Sequence, residues 1–240
     1  MQTYYPFSAH EDAFTAANLP ALVSLFKFDE ALTATNTVFT DSVSGAAVTI
    51  STANLTKNTY SLKSTRAAAD GVSSGTLPSI ASTENFIVFG TAIVGTGDAV
   101  GYGNIVSGST PYIGLYETGG SIHLTAGLDV GVGNYVDFAS GAAPHATNVR
   151  AFAVWGKASA GGAIYGCIDG TAAATANITN AVAIACTLIT LTGGAEAFEL
   201  GMLKPTTLPS TAFIQGMVNW LAYQANLGNK YAYPAALGLA

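Results

Sequence analysis

From Ala21 onward the chain is a succession of short runs rich in β-branched, aromatic and aliphatic residues, each cut off by a cluster of Gly, Ser, Asn or Asp. Runs of this length with turn residues between them fit antiparallel strands in a sandwich or barrel. The strands predicted are 21–28, 46–51, 85–94, 112–117, 121–127, 149–157, 163–168 and 197–203. Thr118-Gly119-Gly120-Ser121 separates two alternating runs and marks a hairpin, because glycine supplies the positive φ of a tight turn. On that hairpin Tyr112 and Tyr116 share one face, with Ile113 and Leu115 on the other. In VRAFAVWGK (149–157), Ala151, Ala153 and Trp155 alternate with Phe152 and Val154. Both faces are therefore apolar, which predicts a central strand covered on both sides. One helical pattern occurs late: Phe213, Met217, Trp220, Leu221 and Gln224 follow helical spacing between a Ser210 or Thr211 cap and Gly228. It predicts a helix over about 210–227. Residues 1–20 carry aromatics without a sustained period and read as an extended arm. Residues 21–240 then form one domain that includes the helix and a C-terminal tail.

Only 9% of the 240 residues are charged, against roughly 25% in an ordinary soluble domain. The exposed surface must be built mainly from Ser, Thr, Asn, Gly and Ala, and such a neutral surface is weakly protected against association. It points to part of the surface being covered in an assembly. The net charge is −6, and no Lys or Arg occurs between Arg66 and Arg150, where Asp70, Glu84, Asp98, Glu117, Asp129 and Asp137 fall. Nucleic-acid binding needs a basic face, so this balance argues against it. The carboxylates read as scattered, solvated groups, since no EF-hand loop or tandem Asp repeat gathers them for Ca²⁺. No basic segment followed by an apolar one opens the chain, so no signal peptide is visible. The charge-free stretch from Gly170 to Ala195 is interrupted by Thr, Asn and Gly, so no membrane span is expected. Cys167 and Cys186 each sit in an apolar run and read as buried free thiols, with a single bridge between them as the alternative.

Catalytic and cofactor patterns are scarce. GTGDAVGYG (95–103) and GLDVGVGN (127–134) lack the G-x-G-x-x-G spacing before a helix and read as loops. His10, His123 and His145 stand far apart without metal-ligand spacing. His123 reads as a strand residue with a local partner. A retaining glycosidase needs two carboxyl groups roughly 5–5.5 Å apart, which on a regular strand means two positions apart. Glu196 and Glu199 are three apart and are predicted to point to opposite faces. No G-x-S-x-G elbow is present. No catalytic residue, metal ligand or cofactor is expected.

Several segments in order resemble the concanavalin A-like, laminin-G-like jelly-roll family, in the versions found in bacterial and phage proteins. They are LVSLFKFDEA with the turn DSVSG (Asp41 to Gly45), then FIVFGTAIV, RAFAVWGK and the hairpin IYGCIDG. FELGMLKPTTLPSTAFIQGMVNWLAYQ follows, where a last strand runs into a short helix. The resemblance extends over about residues 20–228. It implies an all-β sandwich of two antiparallel sheets with one C-terminal helix, preceded here by the N-terminal arm. It also implies that Asp169 and Gly170 form an Asp-Gly corner, a structural role in which Asn would serve as well as Asp. The ending NLGNKYAYPAALGLA resembles phage-encoded versions and implies a virion protein assembled in the host cytoplasm.

The leading expectation is a non-catalytic structural or decoration protein of a phage particle, whose partners are other virion proteins or copies of itself. The alternative is a carbohydrate-binding, lectin-like module for a host surface glycan, with Tyr102, Tyr112 or Tyr116 as stacking surfaces. A glycan hydrolase is a third reading. Tyr4, Tyr5, Phe7 and Phe14 are the expected subunit contacts, because each ring can bury roughly 150–250 Å² and an isolated arm would leave all four in water. Deleting residues 1–18 should leave a folded sandwich but weaken self-association or attachment to a particle, as read by light scattering and a particle-binding assay. An unfolded product would instead assign the arm to the domain's own core.

Overall fold

The computed structural model describes residues 22–28, 38–49, 55–58, 61–64, 71–72, 78–103, 112–118, 120–127, 135–142, 145–177, 183 and 189–226. The arm with Tyr4, Tyr5, Phe7 and Phe14, together with His10, Cys186, Gly228 and the C-terminal tail, lies outside them. In chain order the first strands are β1 (Leu22–Phe26), β2 (Val38–Thr40), β3 (Ala47–Thr49), β4 (Leu55–Asn58), β5 (Ser61–Ser64) and β6 (Gly71–Val72). The middle strands are β7 (Asn85–Val94), β8 (Ala99–Tyr102), β9 (Tyr112–Thr118), β10 (Ser121–Gly127) and β11 (Tyr135–Ala142). The last are β12 (His145–Lys157), β13 (Ala163–Ile168), β14 (Ala174–Asn177), β15 (Ile189–Thr192) and β16 (Glu196–Leu203), followed by helix α1 (Thr211–Asn226).

The strands form two antiparallel sheets and a small hairpin. The first sheet runs β14-β13-β12-β7-β16-β5-β4, the second β11-β10-β9-β8-β15-β6, and β2 pairs with β3. Strand β16 has β7 along one edge and divides the other between β5, at Glu196 and Ala197, and β1, from Leu200 to Leu203. This is an all-β architecture of antiparallel sheets followed by one C-terminal helix, as expected.

Strand β12 carries the two-sided pattern expected of it. Phe152 and Val154 enter the core between the sheets, with Phe86, Val88, Leu115, Leu124, Leu200 and Met202. Ala151, Ala153 and Trp155 face the other way and pack under α1 with Ile87, Phe89, Met217, Val218 and Leu221. The alanines matter here, because small side chains let a helix approach the sheet closely. The strand is flanked by β13 and β7, so it is central as predicted.

Within the run 21–28 the strand spans Leu22–Phe26 and ends before Phe28, which adopts left-handed backbone at φ 53°. That turn lets the Phe28 ring stack on Phe26 at 6.1 Å and meet Phe39 edge-on at 5.7 Å, so all three fill one end of the core. The DSVSG turn forms as expected and is tied to β1. One Asp41 carboxyl oxygen accepts from the Leu25 N–H at 3.0 Å, Val43 N–H at 2.9 Å and Ser44 N–H at 3.0 Å. GTGDAVGYG is more than a loop: Ala99–Tyr102 within it is β8, paired on both sides.

The helix starts from a Ser210 cap, whose hydroxyl accepts the Phe213 N–H at 3.2 Å, satisfying one of the free donors of the first turn. It is fastened to β12 and to the turn after β13 by three amides. Asn226 accepts the Val149 N–H at 2.9 Å and donates to the Val149 carbonyl at 2.8 Å, as a neighbouring strand would. Asn219 accepts the Gly170 N–H at 2.8 Å, and Gln215 donates to the Thr171 carbonyl at 3.4 Å. Replacing Asn226 by Ala should leave the Val149 amide without that partner and cost about 1–3 kcal/mol. Chemical denaturation should show a lower midpoint, and the last turn of α1 should exchange its amides faster than the rest of the helix.

Candidate functional site

The helix packs on the outer face of the first sheet over β12, β13 and β7, and the outer face of the second is the surface on which to look for recognition. The β9–β10 hairpin forms this face, with Ser121 opposite Thr118 and Gly127 opposite Tyr112. Alternation sends Ile113, Leu115, Ile122, Leu124 and Ala126 into the core. Tyr112 and Tyr116, with His123 and Thr125, take the outer side, as the hairpin pattern predicts.

The three candidate tyrosines are in different environments. Tyr102 is 0% exposed between the sheets. Its hydroxyl donates to the Leu200 carbonyl at 3.1 Å and lies 3.3 Å from the Ser24 hydroxyl, so it is a core residue and not a stacking surface. Tyr112 is on the outer face but only 7% exposed. Its ring lies flat over Gly127, where an added Cβ would come within 2.2 Å of the ring. Tyr116 is half-buried and sits directly opposite His123, the two rings stacked at 5.1 Å with an interplanar angle of 29°. His123 thus has the local partner expected of it, and the pair forms a two-ring stack beside Ala99.

Turns at that end of the hairpin are held by buried carboxylates. Asp98 accepts the Gly95 N–H at 2.6 Å and the Gly194 N–H at 2.5 Å. Glu117 accepts from Gly120 N–H at 2.7 Å and from Gly97 N–H. Both side chains are buried. Their negative charge is therefore met by peptide dipoles and is not solvated, which corrects the sequence reading for these two groups. No cluster of three or more potential metal ligands occurs among the described residues. Glu84 behaves differently: it is half-buried, pairs with Lys204 at 2.8 Å, and that ammonium holds its carboxyl below the usual range.

The carboxylates considered for hydrolysis also take structural positions. The pairing of β16 with β7 skips Phe198, so Glu196 opposes Ile93 and Glu199 opposes Thr91. The extra residue is a bulge, and it turns Glu196 and Glu199 to the same face, against the expectation for a regular strand. They are nonetheless unequal. Glu196 accepts from Asn58 at 2.7 Å and from the Ser61 hydroxyl, whereas Glu199 is 1% exposed, out of reach of any substrate.

Asp169 is structural, in a larger sense than a hairpin corner. Gly170 supplies the expected positive φ of 75°. The Asp169 carboxylate accepts the Ala151 N–H at 2.7 Å and the Arg150 Nε–H at 3.0 Å, and Arg150 also donates to the Asp169 carbonyl at 3.0 Å. Burial pushes the Asp169 carboxyl up, and the Arg150 guanidinium opposes that shift. The adjacent Cys167 is a free, buried thiol, pushed up to about 12 by burial and by Asp169. At neutral pH it carries no thiolate for nucleophilic or redox chemistry.

No known family profile matches the chain, and no curated protein matches it. Solved structures do. The chain is similar to the botulinum neurotoxin serotype D binding domain, with TM-score 0.58 and 11% identity over 89% of this chain and 52% of that one. The binding domain of Paraclostridial Mosquitocidal Protein 1 gives TM-score 0.57 at 9% identity, covering 83% and 52%. The botulinum neurotoxin type G receptor binding domain gives 0.52 at 10%, covering 83% and 51%. What is shared is the fold. This chain spans about half the length of each.

Asn in place of Asp169 keeps the turn but gives up the charge that Arg150 faces. The Asp169→Asn variant should therefore lose about 1–3 kcal/mol, measured by urea denaturation, with the sandwich intact by circular dichroism. Unchanged stability would reduce Asp169 to the turn residue that its sequence implies.

Proposed function

We propose that this chain is a non-catalytic recognition module that presents the Tyr116–His123 platform to a glycan. The observation that carries the reading is the ring stack itself, half-buried on the sheet face opposite the helix. In such a stack the ring face turned away from the partner offers an apolar surface to the C–H face of a sugar ring, while the phenol and imidazole edges supply hydrogen bonds to its hydroxyls. Support also comes from the similar solved structures, whose names describe binding and receptor-binding domains. Among the described groups suited to acid–base or nucleophilic work, Asp98, Glu117, Asp169, Glu199 and Cys167 are buried or held by backbone and side-chain partners.

A second reading, membership of a phage particle, is favoured by the 9% charge content, which suits a surface partly covered by neighbours. The two readings separate in one experiment. The full chain is titrated against an array of neutral and acidic oligosaccharides and, in parallel, against purified particles. Under the glycan reading the chain binds a defined sugar, and Tyr116→Ala weakens it about tenfold or more, the loss of one stacking contact of about 1.4 kcal/mol. Tyr102→Phe leaves the affinity unchanged, because Tyr102 never meets the ligand. Particle binding with no sugar bound, and indifferent to Tyr116→Ala, would replace the glycan reading with the second one.

A further inference from the structure

Positive charge is confined to one of the two sheets. The chain has eight Lys and Arg residues. Six are described, and all six belong to the first sheet: Lys27 follows β1, Lys57 and Lys63 lie on β4 and β5, Arg150 and Lys157 lie on β12, and Lys204 follows β16. Arg66 and Lys230 lie outside the described residues; Arg66 precedes β6, which β15 and β8 separate from β9. Among the described residues the second sheet therefore carries no Lys or Arg, and His123 is its one side chain able to take up a positive charge.

That sheet does carry carboxylates beside the ring pair. Glu117 follows Tyr116 on β9 and stands opposite Ile122, the neighbour of His123. Asp98 immediately precedes Ala99, which pairs with Tyr116, and the Asp98 carbonyl accepts the Glu117 N–H at 2.8 Å. Asp137 on β11 is in register with Thr125, two residues along from His123. An anion that finds no cation can still be held by the N–H groups of glycine-rich turns. Here those donors are taken: Asp98 occupies the N–H groups of Gly95 and Gly194, and Glu117 those of Gly97 and Gly120.

We propose that the Tyr116–His123 stack selects neutral glycans and rejects those bearing a carboxylate or sulfate, because the surface around it sets carboxylates where an acidic sugar needs donors. This rests on the glycan reading above and adds the class of sugar to it. An acidic sugar brought to the stack sheds water from its charge and gains no ion pair in return, which is costly. A neutral sugar avoids that cost, since its hydroxyls both donate and accept and its C–H face needs only the ring.

An oligosaccharide array read at pH 8 with the full chain tests this. Chains ending in glucose, galactose or mannose are printed beside the same chains ending in the corresponding uronic acid, where a carboxylate replaces one hydroxymethyl group, and beside the uronamides, which keep the shape without the charge. The uronic acids should bind at least about tenfold more weakly than the neutral chains, the uronamides should recover binding, and Tyr116→Ala should weaken the binding of both neutral sets. Thr118→Lys, at the exposed end of β9 and on the same side as Tyr116, should raise the binding of the uronic acids and leave the neutral chains unchanged. If that variant does not fold, Ser121→Lys, the partner position on β10, makes the same test. Tyr116-dependent binding of the acids as tight as that of the neutral chains would overturn the selection and keep the ring stack as the site. Uronamides as weak as the acids would overturn it too, since shape and not charge would then discriminate. Binding of no chain, or binding indifferent to Tyr116→Ala, would overturn the glycan reading itself and the selection with it.

Discussion

The structure depends on β12 being apolar on both sides. A strand with one solvated face would allow a two-layer sandwich, but the helix would have nothing to bury. With Phe152 and Val154 inside and Ala151, Ala153 and Trp155 outside, one strand belongs to two hydrophobic layers. Burying each large side chain contributes about 1.5–3 kcal/mol, so sandwich core and helix layer are stabilised together. The Trp155 ring stacks on Tyr165 of the adjacent strand at 5.6 Å and 17°, which fills the space beside the alanines. The polar fastenings converge on the same strand: Asn226 clasps Val149, and Asp169 clasps Arg150 and Ala151. Displacing β12 would therefore loosen the helix and the β13 turn along with the core.

Side-chain periodicity made part of this legible in the sequence. The strands at 85–94, 121–127 and 163–168 fall where their apolar alternation ends at turn residues, and the helix begins at Ser210, one of its two predicted caps. Strands β8 and β15 were hidden because AVGY and ITLT are short and rich in Gly or Thr. Their place comes from pairing with one another and with β9, and sequence alternation carries no information about such distant partners. The bulge at Phe198 was hidden for a related reason. It is an extra residue relative to β7, and only the register of the pair reveals it.

The site was less legible than the fold, and its residues show why. Three tyrosines looked equivalent as stacking surfaces, yet one forms part of the core, one lies over a glycine, and one stacks on a histidine. Alternation gives the face of Tyr116 and His123, but their juxtaposition requires the hairpin register. The Arg150–Asp169 pair joins residues 19 apart, across the β12–β13 hairpin. A sequence shows Asp-Gly as a turn and gives Arg150 no partner. Their contact makes both structural.

The scarcity of charge takes on a different meaning once the carboxylates are placed. Asp41, Asp98 and Glu117 are held by backbone N–H groups at turns, and Asp169 by Arg150. These groups fix their turns through hydrogen bonds from within the fold, and the Asp169 charge is countered by Arg150. Long-range electrostatic attraction raises association rates only when a surface presents one sign of charge over a distance comparable to the Debye length. A ligand approaching the Tyr116–His123 platform would gain little steering of that kind from these groups. Its affinity would then draw on short-range ring contacts and hydrogen bonds.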